Sequence, residues 1–192
     1  MDNLINSEYS GDNHIMVDIE TLSTKTNAVI TQIAMVRFCP KTGDIFDTIS
    51  YDINIQSCLD IGLTVDANTL NFWFSQSKEA QQRALNFEAD TKHIKEVMES
   101  VNSFISRCGK DIRMWGKGPS FDLTKLDYIN ELLGFEKPWK FWLERCVRTM
   151  IADVDSARTL DFVGVPHVAL DDCIHQINQI KQALHVKYGN KK

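Results

Sequence analysis

The 192-residue sequence predicts an α/β fold in which helices flank a mixed β-sheet. Three strand-like segments come first, and the later segments have helical periodicity with one short strand among them. This order of elements is typical of helices layered on a sheet. Residues 1–13 are polar and acidic, so we expect a polar N-terminal segment followed by a single domain over residues 14–188.

The first predicted strand covers residues 14–20, where side chains alternate between two faces. One face is apolar, whereas the other has Asp18 and Glu20 as neighbours. A second strand covers residues 28–38, and a third covers residues 46–55 beyond a turn that contains Pro and Gly. The short connection predicts an antiparallel meander of three strands.

Helical periodicity follows, because apolar side chains recur at steps of three and four residues. The predicted helices cover residues 66–75, 90–108, 120–133, 146–152 and 167–187, with a further short helix from Ser77. Residues 113–116 indicate a short strand between two of these helices. We expect Ser120 to cap the helix that follows it.

The composition excludes several classes of protein. Hydrophobic residues make up 43% of the chain, which excludes an intrinsically disordered protein. The five Cys residues form no Cys-x-x-Cys pair, so neither a disulfide framework nor a zinc ribbon is indicated. No apolar run approaches the roughly 18 residues of a membrane span, and no hydrophobic signal core precedes the domain. We therefore expect a cytoplasmic protein without a membrane partner.

The net charge of −5 argues against a protein held on nucleic acid by a broad basic surface. It allows an enzyme that contacts phosphate through bound metal ions, since acidic ligands make the formal charge of the protein more negative. The placement of the acidic residues is therefore informative.

Four acidic residues stand at the ends of predicted elements: Asp18, Glu20, Asp122 and Asp172. The two on the first strand would repel each other unless a cation lay between them. Carboxylate oxygens suit Mg²⁺ or Mn²⁺, and two such ions stabilise the attacking and leaving oxygens in phosphoryl transfer. His167, which precedes Asp172 on the chain, is a candidate general base. Taken singly, Asp122 is also typical of a helix cap and His167 of a helix start.

Three segments resemble the motifs of the DEDDh 3′-5′ exonucleases and occur in the same order: residues 17–22 (VDIETL), 120–122 (SFD) and 167–172 (HVALDD). Residues 69–80 and 141–149 are similar to the phage and prophage exonuclease A-like branch, which includes ribonuclease T-like exoribonucleases. The resemblance covers nearly the whole chain. It implies a ribonuclease H-like fold with a five-stranded mixed sheet, whose first three strands are antiparallel, and with flanking helices.

The resemblance also implies the roles of the site residues. The residues that match the ligands of two Mg²⁺ or Mn²⁺ ions are Asp18, Glu20, Asp122 and Asp172. His167 matches the general base. Val168 stands where the related DEDDy enzymes have Tyr, which favours the histidine type.

The implied reaction is hydrolysis of the terminal phosphodiester bond at the 3′ end of single-stranded DNA or RNA, with release of nucleoside 5′-monophosphates. Thr21 and Leu22 are expected to contact the terminal sugar and base. Trp73 and Phe121 are candidate stacking surfaces. Because residues 72–74 are all aromatic, Trp73 is an equally good candidate for the core.

Two other function classes use the same residues. A scaffold with a decayed site would keep the fold, and a metal-dependent nucleotide phosphohydrolase would use the same carboxylates. All five motif residues are present, which argues against decay. The choice between DNA and RNA stays open, since it depends on how the pocket around Leu22 treats a 2′-hydroxyl. The oligomeric state also stays open, and a homodimer is one alternative because ribonuclease T-like relatives are often dimers.

Overall fold

A five-stranded sheet forms the centre of the computed structural model, which describes residues 8–85 and 90–189. The strands are β1 (His14–Thr21), β2 (Ile30–Phe38), β3 (Ile45–Asp52), β4 (Arg113–Gly116) and β5 (Glu144–Cys146). Their spatial order is β3-β2-β1-β4-β5. β2 pairs antiparallel with β1 and β3, whereas β4 pairs parallel with β1 and β5. The predicted mixed sheet with an antiparallel start is therefore confirmed.

Helices cover both faces of this sheet. They are α1 (Ile55–Asp60), α2 (Ala67–Phe74), α3 (Lys78–Leu85), α4 (Ile94–Arg107), α5 (Pro119–Leu133), α6 (Val147–Ile151), α7 (Asp155–Arg158) and α8 (Ala169–Tyr188). A 3₁₀ turn, Phe141–Leu143, precedes β5. Among the described residues, no helix has both the length and the hydropathy that a membrane span requires.

Two apolar clusters hold the layers together. On one face, odd-numbered residues of β1 such as Ile15 and Val17 pack with the buried stripe of α4. On the other face, Met16 packs with α8 residues such as Cys173 and Ile177. Each fully buried apolar side chain stabilises the fold by about 1.5–3 kcal/mol. Because the side chains of β1 alternate, its even-numbered carboxylates lie on the α8 side of the sheet.

Several boundaries differ from the sequence prediction, each for a local reason. The third strand ends at Asp52 because the side chain of Asn54 accepts a hydrogen bond from the Ser57 N–H and starts α1. The prediction of Ser120 as a cap is wrong. The helix instead begins with Pro119 after Gly118, whose φ of +117° is favourable only for glycine.

The last helix begins at Ala169 rather than at residue 167. His167 has a φ of +66°, which is incompatible with a right-handed helix. The apolar periodicity of residues 167–187 predicts an inward face that includes Leu170 and Ile174, but both are only partly buried in α8, whereas Gln176 is fully buried.

Candidate active site

A cavity of about 340 Å³ opens beside the ends of β1 and β4, and we call it the carboxylate cavity. Its lining residues are Asp18, Ile19, Glu20, Lys117, Phe121, Asp122, Arg148, His167, Asp172 and Gln176. The fold thus brings all the candidate catalytic residues from distant segments to one cavity. These segments come from β1, from the first turn of α5 and from the start of α8.

Three carboxylates approach one another closely in this cavity. One ligand oxygen each from Asp18, Glu20 and Asp172 lies within 4.8 Å of the other two. We call this group the carboxylate trio. β1 supplies two of its members because alternate residues of a strand share a face, and α8 supplies the third from its first turn. Hard oxygen donors at this spacing suit a divalent cation such as Mg²⁺ or Mn²⁺.

Asp122 lines the same cavity but is not a member of the trio. Within the described part of the chain, the trio is the group of side chains spaced to hold a metal ion. The Oδ2 of Asp122 lies 3.0 Å from the point that a Cβ on Gly116 would occupy, so a side chain at that position would press on the carboxylate. Burial raises the pKa of Asp122 to about 7, although the charge of Lys125 and a hydrogen bond from the Ile19 backbone oppose the shift.

The trio is electrostatically strained without a cation. Burial, followed by the charges of Asp122 and Glu20, raises the pKa of Asp18 well above its usual range. Burial and the charge of Asp172 raise the pKa of Glu20 to about 8. The pKa of Asp172 is also raised by burial, but the backbone N–H of His167 opposes that shift. A bound cation would favour the ionised forms that these surroundings disfavour.

Gln176 explains the polar residue buried in α8. Its Nε2 donates a hydrogen bond of 2.8 Å to Asp18 Oδ1 and so orients one member of the trio. Gln176 was not among the predicted site residues. A signal was present, since Gln176 follows Asp172 by four residues, and residues at that spacing share one face of a helix.

The loop before α8 is held by two successive aspartates. The backbone N–H of His167 donates to Asp172 Oδ2 at 2.8 Å, and the N–H of Val165 donates to Asp171 Oδ2 at the same distance. Gly164 is required here, because a Cβ would lie 2.7 Å from Asp171. Asp172 therefore joins the trio and restrains the histidine backbone, whereas Asp171 anchors the loop.

The imidazole of His167 lies against aromatic side chains of α2. Its ring centroid is 5.3 Å from that of Phe72 and 5.8 Å from that of Trp73, in edge-to-face arrangements. Such pairs are individually weak but they limit the orientations of the ring. The histidine consequently lines the carboxylate cavity from the α2 side.

A second cavity of about 460 Å³ adjoins the first at Glu20 and Phe121, and we call it the aromatic cavity. It is lined by Ile19, Glu20, Thr21, Thr24, Asp66, Asn68, Thr69, Phe72, Trp73 and Phe121. Phe72 and Phe121 are 43% and 38% exposed, so both have aromatic surface that a ligand could contact. Phe72 was not among the candidate contacts, although it precedes Trp73 in the chain.

Two of the predicted substrate contacts have buried side chains. The side chain of Leu22 is only 3% exposed and packs in the core, because backbone hydrogen bonds to Val29 and Asp66 hold it there. Trp73 is 1% exposed, and its indole N–H donates to the carbonyl of Thr21 at 2.8 Å. Leu22 does not line the aromatic cavity, whereas Trp73 lines it with the small part of its ring that packing leaves uncovered.

Phe121 is held by the buried side chain of Lys125, which was also not among the predicted site residues. Lys125 Nζ lies 3.2 Å from the ring centroid and donates to the carbonyls of Phe121 and Thr24. Burial lowers the pKa of Lys125 to about 8, while the charge of Asp122 opposes that shift. The Lys125 side chain thereby limits the orientation of the Phe121 ring at the boundary between the two cavities.

We expect the metal-free protein to lose stability as the pH rises from about 5 to 8. The pKa of Glu20 is about 8 in the fold against 4.5 for the free group. The folded state therefore binds more protons in this interval, and its stability falls with rising pH. The Glu20→Gln variant should flatten this dependence.

Melting temperatures measured in chelator at several pH values test this expectation. The wild type should lose at least about 3 °C across the interval, which corresponds to roughly 1 kcal/mol for a chain of this size. Glu99→Gln is a matched control, since Glu99 is exposed on α4 and should keep the wild-type slope. A flat wild-type profile, or equal slopes in all three proteins, would contradict the electrostatic interpretation.

Comparisons with known proteins agree with this geometry. A family model described as the 3′-5′ exoribonuclease Rv2179c-like domain matches residues 13–184. An exodeoxyribonuclease of Enterobacteria phage T4 is 26% identical over 208 residues, which cover 91% of this chain and 90% of the phage protein.

Solved structures of exonucleases share the fold at low sequence identity. Exonuclease I superposes with a TM-score of 0.63 at 12% identity, over 90% of this chain but only 40% of that protein. The nuclease domain of 3′hExo, described as a DEDDh family member bound to rAMP, gives a TM-score of 0.57 at 15% identity, over 93% and 94% of the two chains. S. pombe Pop2p in its Mg²⁺- and Mn²⁺-bound form gives 0.58 at 11% identity, over 98% and 89%. The predicted ribonuclease H-like fold is therefore confirmed.

Proposed function

We propose a substrate and a mechanism from the premise that the chain belongs to the family of Rv2179c-like 3′-5′ exoribonuclease domains. It is a 3′-5′ exonuclease of the DEDDh type. The substrate is the 3′ end of single-stranded DNA or RNA, and the domain over residues 14–188 releases nucleoside 5′-monophosphates from it. The proposal rests on the carboxylate trio, which lies where the carboxylate cavity adjoins the aromatic cavity and its exposed rings.

The ligands proposed for two Mg²⁺ or Mn²⁺ ions are Asp18, Glu20, Asp122 and Asp172. They fit because hard oxygen donors are crowded together and because their mutual repulsion is relieved by positive charge. When bound, the ions would lower the pKa of water and stabilise charge on the attacking and leaving oxygens. Gln176 would hold Asp18 in its ligating orientation through its 2.8 Å hydrogen bond.

His167 is the proposed general base. It accepts a proton as water attacks the phosphorus, and the bond from phosphorus to the 3′ oxygen of the preceding nucleotide breaks. The hydrogen bond from its backbone N–H to Asp172 fixes the distance between base and trio. The edge-to-face contact with Phe72 limits the orientation of the imidazole during the transfer.

The aromatic cavity is the proposed site of the 3′-terminal nucleoside. Phe72 and Phe121 offer stacking surface, which contributes about 1–3 kcal/mol per base without regard to sequence. Thr21 lines the wall beside Glu20, where the terminal sugar would lie. Asn68 and Thr69 add polar side chains to this wall, and contacts of this kind would decide whether a 2′-hydroxyl is accepted.

Digestion of matched DNA and RNA oligonucleotides tests the activity. With a 5′ label and added Mg²⁺, we expect a ladder that shortens from the 3′ end, with nucleoside 5′-monophosphates as products. Excess chelator should stop the reaction, because four carboxylates without a cation repel a polyanion. The ratio of rates on the two substrates measures the sugar preference.

A circular single strand of the same composition is the matched control, since it has no 3′ end. Cleavage of the circle, or full activity in excess chelator, would contradict the proposal. Binding of the linear strand without turnover would favour a scaffold, and cleavage of free nucleotides alone would favour a phosphohydrolase.

A further inference from the structure

Two positively charged side chains line the carboxylate cavity, Lys117 and Arg148. Neither forms a hydrogen bond or an ion pair with any residue in the ranges 8–85 and 90–189. By contrast, Arg113 and Arg145 both pair with Glu8 at 3.0 Å. Unpaired cations on the wall of a cavity are available to bind an anion, and Arg in particular matches the geometry of phosphate oxygens.

The backbone is shaped to admit Arg148 to this wall. Gly118 lies between β4 and α5 with a φ of +117°, and a Cβ there would lie 2.8 Å from Arg148 Nη1. The absence of a side chain thus lets the guanidinium, which comes from α6, approach the loop that carries Lys117. The guanidinium therefore lies beside the residue that follows Lys117 in the chain, and both cationic side chains line the carboxylate cavity.

Their charges reach different members of the acidic site. Burial raises the pKa of both Asp172 and Asp122. The charge of Lys117 partly offsets the rise at Asp172, and the charge of Arg148 partly offsets the rise at Asp122. The aromatic cavity differs, because no Lys or Arg of the described part of the chain lines it. The ammonium group of Lys125 beside Phe121 is buried and already donates to two carbonyls. The accessible positive charge therefore lines the carboxylate cavity rather than the aromatic cavity.

We propose that Lys117 and Arg148 bind the phosphate next to the scissile one on its 5′ side, so that the substrate strand leaves the active site across them. This inference rests on the proposed function, which puts the terminal nucleoside in the aromatic cavity and the scissile phosphate at the carboxylates. The next phosphate then passes over the remaining charged wall. An acidic protein that binds a polyanion needs such local positive charge. It follows that efficient cleavage requires a second charged phosphate.

A different role for the two cations makes a different prediction. If they only offset the repulsion among the carboxylates, their loss would change the affinity for Mg²⁺ and leave the response to substrate charge unaltered. The experiment must therefore vary the charge on the substrate as well as the residues.

Two otherwise identical trinucleotides provide that variation. Both keep a natural phosphodiester at the 3′-terminal linkage, and one has a neutral methylphosphonate, as separated diastereomers, at the other linkage. At saturating Mg²⁺, the wild-type kcat/KM for release of the 3′ nucleotide should favour the charged substrate by about tenfold to a hundredfold, as expected for charge-assisted hydrogen bonds. In the Lys117→Met and Arg148→Met double variant this ratio should fall towards one.

Lys110→Met is the control, because Lys110 is an exposed lysine outside both cavities, and it should keep the wild-type ratio. A wild-type ratio near one, or an unchanged ratio in the double variant, would overturn the inference. A changed Mg²⁺ requirement with an unchanged ratio would also overturn it and would assign the cations to charge compensation. If the wild type released no 3′ nucleotide from the unmodified trinucleotide, the proposed function itself would fail instead.

Discussion

Replacement of Glu20 by Gln is expected to lower turnover by at least about 10³-fold while the protein stays folded. The amide has nearly the same volume but a poor affinity for a divalent cation, and the loss of several kcal/mol of charge stabilisation in the transition state corresponds to this factor. The side chain belongs to the carboxylate trio, where its charge is unfavourable without a cation. The metal-free variant should therefore be at least as stable as the metal-free wild type.

The same loss of turnover is expected for the other proposed ligands, in the variants Asp18→Asn, Asp122→Asn and Asp172→Asn. Steady-state rates, Mg²⁺ binding by calorimetry and melting temperature together separate a lost ligand from a lost fold. Asp171→Asn is the matched control next in the chain. It should be mild, because an amide oxygen can still accept the hydrogen bond from the Val165 N–H. An essential Asp171 beside a dispensable Asp172 would show that the third motif has been misaligned.

Substitution of His167 is expected to lower kcat by roughly 10²–10⁴-fold, the usual contribution of a positioned general base. His167→Ala removes the imidazole but keeps the backbone N–H that donates to Asp172. His167→Asn is the better matched variant, because Asn tolerates the left-handed backbone at a φ of +66°. Since neither change removes a carboxylate, Mg²⁺ affinity and KM should stay close to the wild-type values.

The pH dependence of kcat distinguishes a base from a merely structural histidine. In the variants, residual activity should rise with pH as hydroxide replaces the missing base. Loss of a merely structural histidine would instead lower kcat by the same factor at every pH. Loss of Mg²⁺ binding in both variants, or an unchanged kcat, would count against the assignment of His167.

The sequence by itself was sufficient for the parts of this protein that depend on local periodicity. The alternation of β1 put Asp18 and Glu20 on one face, and the repeat of α4 marked its buried stripe before any packing was known. The placement of Asp172 and His167 near the start of a predicted helix made them candidates, and the resemblance of short segments implied their roles. These features were predictable because the direction of a side chain along a regular strand or helix follows from its number in the chain.

Tertiary structure alone decided which residues support the site and which face it. Leu22 was expected at the substrate and Trp73 either there or in the core, and packing between β1 and α2 buries both side chains. The bond from Gln176 to Asp18 joins residues 158 positions apart in the chain. The approach of Arg148 to Gly118 likewise depends on the position of α6 beside the start of α5. Periodicity shows which face of an element is buried, whereas the partner of a side chain across a cavity is set by how whole elements pack together.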